Sequence, residues 1–452
     1  MARERLVVIG GVAAGMSAAS RARRRNPQLE IIVLEMGRHV SYGACGLPWY
    51  LSGEIQDWKD LLVYSAEYFR EKRGIDVRLA HKVSEIEPGR KLVHALREGV
   101  EEVSIAYDKL IITTGGAADV EIPGADLPAV FTCNDLSGAI LFREFLETAR
   151  PQRAVIVGSG YIGLEVAAAL ANRGIKVVVL ERSETVLGGA EPEINVRVED
   201  VLLNHGVRLL KKTAVSSIAA DGAGTGLHVL HSQGSESAEI VVLATGIHPR
   251  VALAESARIQ LGPTGAIAVD ERMHTSVSSI HAAGDCVEAR HLVSGRPVYF
   301  PLGTTANKQG RVAGENAAGG HARFAGIVGT LATKVFELEV ARTGLSVAEA
   351  RSAGFHPDSI AINSTSRAYY FHGRPLMVKL IWDRADGRLL GCQMCGEEGI
   401  AKRIDVAAMA LHARMRIPEM LHLDLSYAPP FAPVWEAILV AANEAMKKLS
   451  RD

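Results

Sequence analysis

The feature that most constrains this fold is an internal repeat of two similar stretches. Each contains a short apolar β run, a glycine-rich turn, a helix of small residues and a second apolar strand that ends in glutamate. The last glycine of the turn and that glutamate are 20 residues apart in the first copy, residues 5–37, and 18 apart in the second, residues 153–184. This interval is typical of a βαβ unit that binds a dinucleotide. A tight turn explains one isolated copy as well, but two copies in register predict two nucleotide sites.

The glycines of such a unit have separate tasks. The first makes the tight turn, the second lets the backbone approach a pyrophosphate, and the third lets the helix pack on the strand. The helix N-terminus then offers free N–H groups to the phosphates, and the terminal glutamate accepts hydrogen bonds from an adenosine ribose. The first copy is the weaker match, because Val12 stands where the middle glycine is usual. The glycines are Gly10, Gly11 and Gly15 in the first copy and Gly158, Gly160 and Gly163 in the second.

Three further strands end in small residues. Two of them close with Thr-Gly, at Thr114-Gly115 and at Thr245-Gly246, where the backbone can pass close to a bound cofactor. The third runs into Gly284 and Asp285. On its own, Asp285 is explained slightly better by an Asx turn or a helix N-cap.

Composition places the chain among ordinary globular proteins. Its 452 residues suggest about three domains, and 48% hydrophobic with 22% charged residues exclude a disordered protein. A net charge of −1 gives no strong overall field toward nucleic acid or an anionic membrane. No run reaches the ~18 apolar residues of a membrane-spanning helix, and the first strand leaves no room for a signal peptide ahead of Leu6. We therefore expect a cytoplasmic protein without a nucleic-acid or membrane partner, and the fifteen histidines suggest no metal site.

One cysteine stands apart from the others. Cys45 lies in the segment SYGACGLPWY, and no other cysteine lies within eighty residues of it. Because Pro48 suits the first turn of a helix, we predict that Cys45 precedes a helix N-terminus, where the dipole lowers the thiol pKa. The alternative is a buried structural cysteine. Cys392 and Cys395 form a CxxC pattern on a predicted strand, whose residues face opposite sides, so we expect them, like Cys133 and Cys286, to be packing residues.

These motifs, in this order and over the whole chain, resemble the flavoprotein disulfide reductases with two dinucleotide-binding domains. The Cys45 segment is similar to the SFxxCGxPYY motif of coenzyme A disulfide reductases and the related persulfide reductases and NADH oxidases. The resemblance implies an α/β protein with two Rossmann-like domains and a C-terminal α/β dimerisation domain. It divides the chain into a split FAD-binding domain at 1–115 and 246–325, an NAD(P)H-binding domain at 116–245 and a dimerisation domain at 326–452.

The resemblance implies FAD in the first unit and NADH in the second. Glu35 would bind the adenosine ribose of FAD, and Asp285 its ribityl chain. Glu181 would bind the ribose of NADH and repel a 2′-phosphate, although the neighbouring Arg182 leaves NADPH open. Tyr161 would shield the flavin until NADH displaces it, or else be a packed aromatic. The expected FAD contacts are Gly10, Gly11, Val12, Ala13, Ala14, Gly15, Glu35, Met36, Val83, Thr114, Gly115, Asp285, Pro301, Gly303 and Thr304, and the expected NADH contacts are Gly158, Gly160, Tyr161, Ile162, Gly163, Glu181, Arg182 and Gly246.

In that family Cys45 would alternate between a free thiolate and a mixed disulfide with coenzyme A. Electrons would pass from NADH through the flavin and Cys45 to coenzyme A disulfide or a related persulfide. NADH peroxidases and many NADH oxidases have histidine where this chain has Ala13, which favours disulfide over sulfenic-acid chemistry. The alternatives are an NADH oxidase that reduces oxygen, a persulfide or polysulfide reductase, an electron-transfer reductase that does not need Cys45, and a non-catalytic nucleotide-binding protein.

The substrate-binding expectations also follow from the resemblance. Arg21 and Arg24 share a helix face that would meet coenzyme A phosphates, unless they form an ordinary solvated face; Ser41 and Lys308 complete this set. Tyr427, in a YAPP stretch, resembles a tyrosine that reaches the active site of the partner subunit. Tyr369 resembles a second, although Arg367 and Phe371-His372-Gly373 depart from the family pattern. These residues predict a homodimer with shared active sites.

Overall fold

The computed structural model describes residues 3–118, 121–221 and 226–450. The strands are β1 (Arg5–Ile9), β2 (Glu30–Leu34), β3 (Asp76–Arg78), β4 (His81–Glu87), β5 (Leu92–Arg97), β6 (Glu101–Ala106), β7 (Lys109–Ile112), β8 (Gly116–Ala117), β9 (Val130–Phe131), β10 (Arg153–Val157), β11 (Lys176–Leu180), β12 (Arg208–Leu210), β13 (Val215–Ala220), β14 (Leu227–His231), β15 (Gly234–Ala238), β16 (Ile240–Leu243), β17 (His248–Pro249), β18 (Ile280–Ala282), β19 (Ala289–Arg290), β20 (Pro297–Val298), β21 (Leu331–Val335), β22 (Leu338–Gly344), β23 (Pro357–Thr365), β24 (Pro375–Asp383) and β25 (Leu389–Gly396).

The α-helices lie between these strands in sequence, and the last three follow β25 in the C-terminal region. They are α1 (Ala13–Arg25), α2 (Leu47–Ser52), α3 (Ala66–Arg73), α4 (Leu136–Ala149), α5 (Tyr161–Asn172), α6 (Pro192–Asn204), α7 (Ala252–Ser256), α8 (Gly303–Ala317), α9 (Val347–Ser352), α10 (Ile400–His412), α11 (Ile417–Met420) and α12 (Ala437–Leu449), with short 3₁₀ turns at Ala44–Gly46, Trp58–Leu61 and Tyr369–Phe371. None of the described helices has both the length and the apolar character needed to cross a membrane.

The two repeats form two parallel sheets of five strands each in the described residues. Their strand orders are β18-β7-β1-β2-β3 and β12-β11-β10-β16-β9. In both, the first strand of the repeat lies in the centre and is buried over its last four residues, because a parallel strand is covered by helices on both faces. The predicted pair of Rossmann-like units is confirmed, and a ligand would bind at the carboxyl ends of these strands.

The first sheet is assembled from distant parts of the chain. Strand β18 pairs with β7 on the side away from β1, although the whole second sheet lies between them in sequence. Helix α8 then packs along α1 at very short range: a Cβ atom at Gly310 would lie 2.2 Å from the carbonyl oxygen of Ala14, and one at Gly314 would lie 2.1 Å from that of Ala18. These glycines let the two helices lie together on the first sheet.

The C-terminal region is built differently, as an antiparallel sheet in the order β21-β22-β25-β24-β23. The predicted strand runs 377–382 and 389–394 lie within β24 and β25, which pair around the turn at Gly387. One face of the sheet packs on α10 and α12, and the other shares a core with the second nucleotide unit. Cys392 and Cys395 are buried in these two different cores, as expected for packing residues.

Candidate active site

The first glycine turn leaves little space for side chains. Gly10 has φ +98°, and a Cβ atom there would lie 2.2 Å from the carbonyl oxygen of Thr113. A Cβ atom at Gly15 would lie 1.9 Å from the carbonyl oxygen of Gly10. The two glycines therefore allow the turn and the close approach of α1, while Val12 occupies the position just before that helix.

The second turn repeats this geometry. Gly158 has φ +103°, and its Cβ atom would lie 2.3 Å from the carbonyl oxygen of Ala244, whereas a Cβ atom at Gly163 would lie 2.2 Å from that of Gly158. Gly160 differs, because a Cβ atom there would meet nothing within 4 Å. Gly160 precedes α5 directly. Because glycine has no side chain that could cover the free N–H groups at the start of this helix, the space beside them can accommodate a pyrophosphate.

One glutamate accepts hydrogen bonds from the backbone of each glycine turn. Glu35 accepts hydrogen bonds of 2.7 Å from the backbone N–H groups of Gly11 and Gly37, and burial raises the pKa of its carboxyl. Glu181 accepts bonds from the Ser159 N–H (2.9 Å), the Ser159 hydroxyl (2.6 Å) and the N–H of Ser183 (2.7 Å).

The environment of Glu181 favours its charged form. Desolvation opposes ionisation, but the hydrogen bonds from Ser159 and Ser183 hold the pKa of Glu181 below its ordinary value. Because a carboxylate has about four acceptor positions, both Glu35 and Glu181 keep capacity for a ribose. Arg182 follows Glu181 and is exposed.

Asp285 lies just after β18, the edge strand of the first sheet that pairs with β7. Burial raises its pKa to about 6, and in the described part of the chain no protein donor contacts its carboxylate. The hydroxyl of Tyr299 instead donates to the backbone carbonyl of Asp285, at 3.0 Å. Cβ atoms at Gly115 and Gly303 would meet nothing within 4 Å. A half-buried acceptor without a donor, beside open backbone, fits the hydroxyl-rich ribityl chain of FAD.

The structure places the other predicted cofactor residues around these turns. The Thr114 hydroxyl donates to the carbonyl of Arg250 at 2.8 Å, and the exposed Met36 has its sulfur 3.9 Å from the Arg250 guanidinium. Val83 is buried in β4. Their contacts with a cofactor stay predictions, as do those of the remaining positions: Ala13 and Ala14 in the first turns of α1, Ile162 half-buried in α5, Pro301 and Thr304 around the start of α8, and Gly246 after β16.

Cys45 lies in the short 3₁₀ turn Ala44–Gly46, immediately before α2, in which Pro48 takes an early position. The predicted place before a helix is confirmed, but the expected low thiol pKa is wrong. Desolvation by the surrounding protein raises the pKa of Cys45, and the negative charges of Glu165 and Asp285 raise it further. The helix has only six residues, and desolvation, together with the two carboxylates, acts against its dipole.

Glu165 is the site residue that the sequence analysis missed. It lies one turn after Tyr161 on α5, and burial raises its pKa to about 7. The Thr333 hydroxyl donates to it at 2.6 Å. A single charged residue within the apolar helix sequence YIGLEVAAALAN was the available signal. The side chain faces a cleft between α2, α5 and the turn after β21, which is also lined by Pro48, Trp49, Asn172, Lys334 and Phe336.

The predicted dimer tyrosines lie together on the C-terminal region. Tyr369 is 85% exposed and Tyr427 is 47% exposed, and the ring centres of Tyr369 and Tyr370 are 5.3 Å apart. The two loops are joined by a bond from the N–H of Ala368 to the carbonyl of Pro429, at 3.4 Å. Further large apolar side chains are exposed on these loops, namely Phe371, Phe431, Val434 and Trp435. A patch of this kind marks an interaction surface.

The predicted substrate residues fall into two groups. Arg21 is already paired with Glu315 at 2.7 Å, whereas Arg24 is exposed. Desolvation lowers the pKa of Arg24, and the positive charges of Arg21, Arg73 and Arg311 lower it further. The structure thus brings Arg21 and Arg24 into a cluster of four arginines.

The other two substrate predictions occupy a helix and a loop. Lys308 is exposed on α8. Ser41 has φ +53°, and its N–H donates to the carbonyl of Gly11 at 2.9 Å. Their contact with a substrate stays a prediction. In the described residues, no group of three or more His, Cys, Asp or Glu side chains is arranged to hold a metal ion.

A thiol placed between two nucleotide sites can exchange electrons with a nicotinamide only through an intermediate carrier. The surroundings of Asp285 fit FAD as that carrier. This arrangement defines a flavoprotein reductase that uses a nicotinamide cofactor. The model of the pyridine nucleotide-disulphide oxidoreductase family matches residues 4–310, and the model of its dimerisation domain matches residues 330–438. The chain belongs to this family and is an NAD(P)H-dependent flavoprotein reductase.

The chain is similar to several individual proteins of this family over nearly its whole length. The chain is 40% identical to the NAD(P)H sulfur oxidoreductase (CoA-dependent) of Pyrococcus furiosus, over 98% of this chain and 99% of that protein. It is 29% identical to the coenzyme A disulfide reductase of Staphylococcus haemolyticus, over 95% of this chain and 96% of that protein. The solved structure of an NAD-dependent persulfide reductase from A. fulgidus superposes with a TM-score of 0.95 at 38% identity, over 99% of this chain and 84% of that one.

Proposed function

We propose that this protein passes electrons from NADH, through FAD and the single redox-active Cys45, to coenzyme A disulfide or a closely related persulfide. The observation that carries the proposal is the setting of Cys45. Cys45 is exposed, whereas the other four free cysteines are buried. The negative charges of Glu165 and Asp285 both raise its pKa. A thiol with no bridging partner in its own chain can form a disulfide only with another molecule, and in this proposal that molecule is a small disulfide or persulfide.

The chemistry at Cys45 balances with one external disulfide. Its thiolate attacks one sulfur of coenzyme A disulfide, so that a Cys45–coenzyme A disulfide forms and one coenzyme A thiolate leaves. Two electrons, ultimately from NADH, then cleave this bond and return the Cys45 thiolate and a second coenzyme A thiol. Bound FAD supplies the two-electron transfer, and the residues that would hold it are the first glycine turn, Glu35 and Asp285.

Glu165 would control the charge beside this thiol. Because its pKa is about 7, a substantial fraction is protonated at neutral pH, and the protonated form places no negative charge near Cys45. The thiolate therefore forms more readily when Glu165 holds a proton. The same carboxyl is open to the cleft between α2 and α5, through which it can exchange that proton.

The arginine cluster supports coenzyme A as the substrate. Arg24, Arg73 and Arg311 place like charges close together, an arrangement that an anion such as a phosphate stabilises. Arg73 lies over the ring of Tyr68, 5.6 Å from its centre, and Tyr68 stacks on Tyr64 with ring centres 4.4 Å apart. Phosphates beside aromatic faces match the phosphoadenosine end of coenzyme A.

The exposed tyrosine loops support a homodimer with shared active sites. In this proposal the aromatic patch packs on a second copy of the chain, and Tyr427, with Tyr369, reaches Cys45 of that copy. Since the reaction consumes NADH and needs a free thiol, we infer that it takes place in the reducing cytoplasm.

Cys45→Ser tests the proposal. Under anaerobic conditions, NADH should bleach the flavin absorbance of wild-type and Cys45→Ser protein alike, while thiol release from coenzyme A disulfide should be lost only in the variant. The intact mass of the wild type under non-reducing conditions should also show a coenzyme A adduct that thiol removes. Undiminished disulfide turnover in Cys45→Ser would overturn the role of Cys45 and indicate an electron-transfer reductase.

A persulfide is the second candidate substrate, favoured by the names of the P. furiosus and A. fulgidus proteins, to which this chain is 40% and 38% identical. The same Cys45 cycle would then release sulfide rather than a second coenzyme A. Sulfide release from coenzyme A persulfide, compared with thiol release from coenzyme A disulfide, would decide between them. Oxygen consumption measured alongside would test the oxidase alternative, which the presence of Ala13 disfavours.

A further inference from the structure

Helix α2, which begins directly after the turn that carries Cys45, packs into the core of the second nucleotide unit. Its side chains Leu47 and Leu51 are fully buried. They lie in one apolar cluster with Phe142 of α4 and Leu170 of α5. Apolar contact alone does not fix the rotation of a helix, because the hydrophobic effect is non-directional. The directional contacts that fix α2 lie at its far end.

The C-terminal end of α2 has backbone carbonyl groups that the helix itself cannot satisfy. Arg143 of α4 donates to the carbonyl of Tyr50 at 2.6 Å, and its guanidinium lies over the ring of Tyr50, 5.6 Å from the centre. Arg173, the C-cap residue of α5, donates to the carbonyl of Leu51 at 3.3 Å. Two helices of the nucleotide unit thus hold the end of α2 that is opposite to Cys45.

Glu147 joins the two arginines. Its Oε1 atom accepts a bond of 2.6 Å from Nε of Arg143 and one of 2.7 Å from Nη2 of Arg173. The arginine side chains are only 16% and 19% exposed, so water and salt screen their charges less than at an open surface. Gly53 ends α2 with φ +93°, and a Cβ atom there would lie 3.4 Å from the guanidinium of Arg143 and 3.6 Å from that of Arg173. Arg143, Arg173 and Glu147 together form an arginine clamp on the end of α2, where the helix dipole also favours cations.

The turn that carries Cys45 and helix α2 form one continuous piece. The 3₁₀ turn Ala44–Gly46 runs into α2 without an intervening loop, and the N–H of Leu47 donates to the carbonyl of Ala44. Because α2 has six residues, it is only about 9 Å long. A shift or rotation at the clamped end is therefore transmitted directly to the thiol at the other end.

We propose that Arg143 and Arg173 are positioning residues that, with Glu147, fix α2 on the second nucleotide unit and thereby hold the Cys45 thiol in its reactive place. The catalytic part of this inference rests on the proposed function, because it takes Cys45 as the redox-active residue. A small misplacement of a reacting group slows a reaction strongly, even when the substituted residue is distant. Loss of the clamp therefore lowers disulfide turnover and leaves intact the steps that do not involve Cys45.

The test is Arg143→Met in the FAD-loaded enzyme, with three measurements. The kcat for thiol release from coenzyme A disulfide should fall about tenfold, with KM for the disulfide unchanged, because the arginine cluster around Arg24 is not altered. Anaerobic bleaching of the flavin by NADH should keep the wild-type rate. Alkylation of Cys45 by iodoacetamide at pH 8 should be about threefold faster, because a loosened helix admits water and relieves the desolvation that raises the thiol pKa. Slower turnover of a more reactive thiol is the signature of a misplaced Cys45.

Lys448→Met is the matched control. Lys448 donates to the carbonyl of Ser359 at 2.9 Å, pairs with Asp358 at 3.3 Å and lies over the ring of Trp382, 5.9 Å from its centre. The substitution therefore removes the same three kinds of contact as Arg143→Met, but from the C-terminal region. All three measurements should stay at their wild-type values in Lys448→Met.

Two further variants grade the effect. Arg143→Lys keeps the charge and should recover part of the lost turnover, and Arg173→Met should act in the same directions but less, since its bond to α2 is longer. Wild-type turnover in Arg143→Met, slower turnover with unchanged alkylation, or an equal effect in Lys448→Met would each overturn the proposal. If Arg143→Met does not fold, wild-type values in Arg173→Met would overturn it. A wild type that releases no thiol from coenzyme A disulfide would instead contradict the proposed function, and the alkylation rates would still test the clamp.

Discussion

The hydroxyl of Thr333, on the first strand of the C-terminal sheet, donates a 2.6 Å hydrogen bond to Glu165 on the helix of the second nucleotide unit. This bond crosses between two parts of the chain at the point where the charge of Glu165 acts on Cys45. It lowers the pKa of a carboxyl that burial raises to about 7. Thr333 and Glu165 together therefore set the charge that the thiol experiences near neutral pH.

Glu165→Gln should lower the pKa of Cys45. In the wild type, Glu165 ionises as the pH rises through about 7, and the new negative charge disfavours the thiolate, whereas glutamine stays neutral. Alkylation of Cys45 by iodoacetamide, followed by intact mass, should be about threefold faster in the variant at pH 8 and nearly unchanged at pH 5.5, given that one pKa unit is a tenfold change. Thr333→Val is the companion variant. Because the Thr333 bond lowers the pKa of Glu165, its loss keeps Glu165 protonated to higher pH and should shift the profile in the same direction. Identical pH profiles in Glu165→Gln and the wild type would contradict the coupling.

Gly160→Ala should separate nucleotide binding from folding. The added Cβ atom would meet no protein atom within 4 Å, so we expect a melting temperature within about 2 °C of the wild type. If that space belongs to the pyrophosphate, KM for NADH should rise about tenfold or more, because the methyl group keeps the phosphate from the backbone. Gly163→Ala provides the contrast: its Cβ atom would lie 2.2 Å from the carbonyl of Gly158, and the protein should fail to fold. An unchanged KM in Gly160→Ala would remove the pyrophosphate from this turn.

The sequence predicted the repeated parts of the fold and much less of the contacts between them. The two βαβ units follow from local patterns, since glycine turns and buried parallel strands leave a signal within about 30 residues. The C-terminal hairpin around Gly387 is equally local. The thiol pKa of Cys45 was predicted wrongly because its charged neighbours, Glu165 and Asp285, are 120 and 240 residues away in sequence. The bond from Thr333 to Glu165 likewise depends on how the parts pack, which no short motif encodes.

Glu181→Gln should shift the preference between nicotinamide nucleotides. Glutamine keeps the shape of the side chain but removes the charge that would repel a 2′-phosphate, while Arg182 stays available to it. The ratio of kcat/KM for NADPH to that for NADH should rise about tenfold, equivalent to about 1.4 kcal/mol of relieved repulsion. Steady-state rates with both nucleotides would measure it, and Arg182→Ala should move the ratio the opposite way. A constant ratio would mean that the bonds from Ser159 and Ser183 already neutralise the carboxylate toward its ligand.

Tyr427→Phe should show whether the active sites are shared between two chains. If the Tyr427 hydroxyl assists the sulfur chemistry of the partner, its loss should lower kcat with coenzyme A disulfide about a hundredfold, at the low end of the range for removal of a general acid. Cys45→Ser should abolish the same turnover. The two variants become informative when they are combined in one dimer by co-expression and tandem affinity purification.

A mixed dimer of a Cys45→Ser chain and a Tyr427→Phe chain contains one site in which both residues are intact, provided that each site takes Cys45 from one chain and Tyr427 from the other. Its turnover should then be about half that of the wild-type dimer, because symmetry gives two equal sites. If both residues of a site came from one chain, neither site of the mixed dimer would be complete, and its turnover would stay at about half the residual rate of Tyr427→Phe. Trp435→Glu, in the exposed aromatic patch, should shift the protein to monomers in sedimentation and abolish disulfide turnover while NADH still bleaches the flavin. A monomer with full disulfide turnover would show that one chain completes the site by itself.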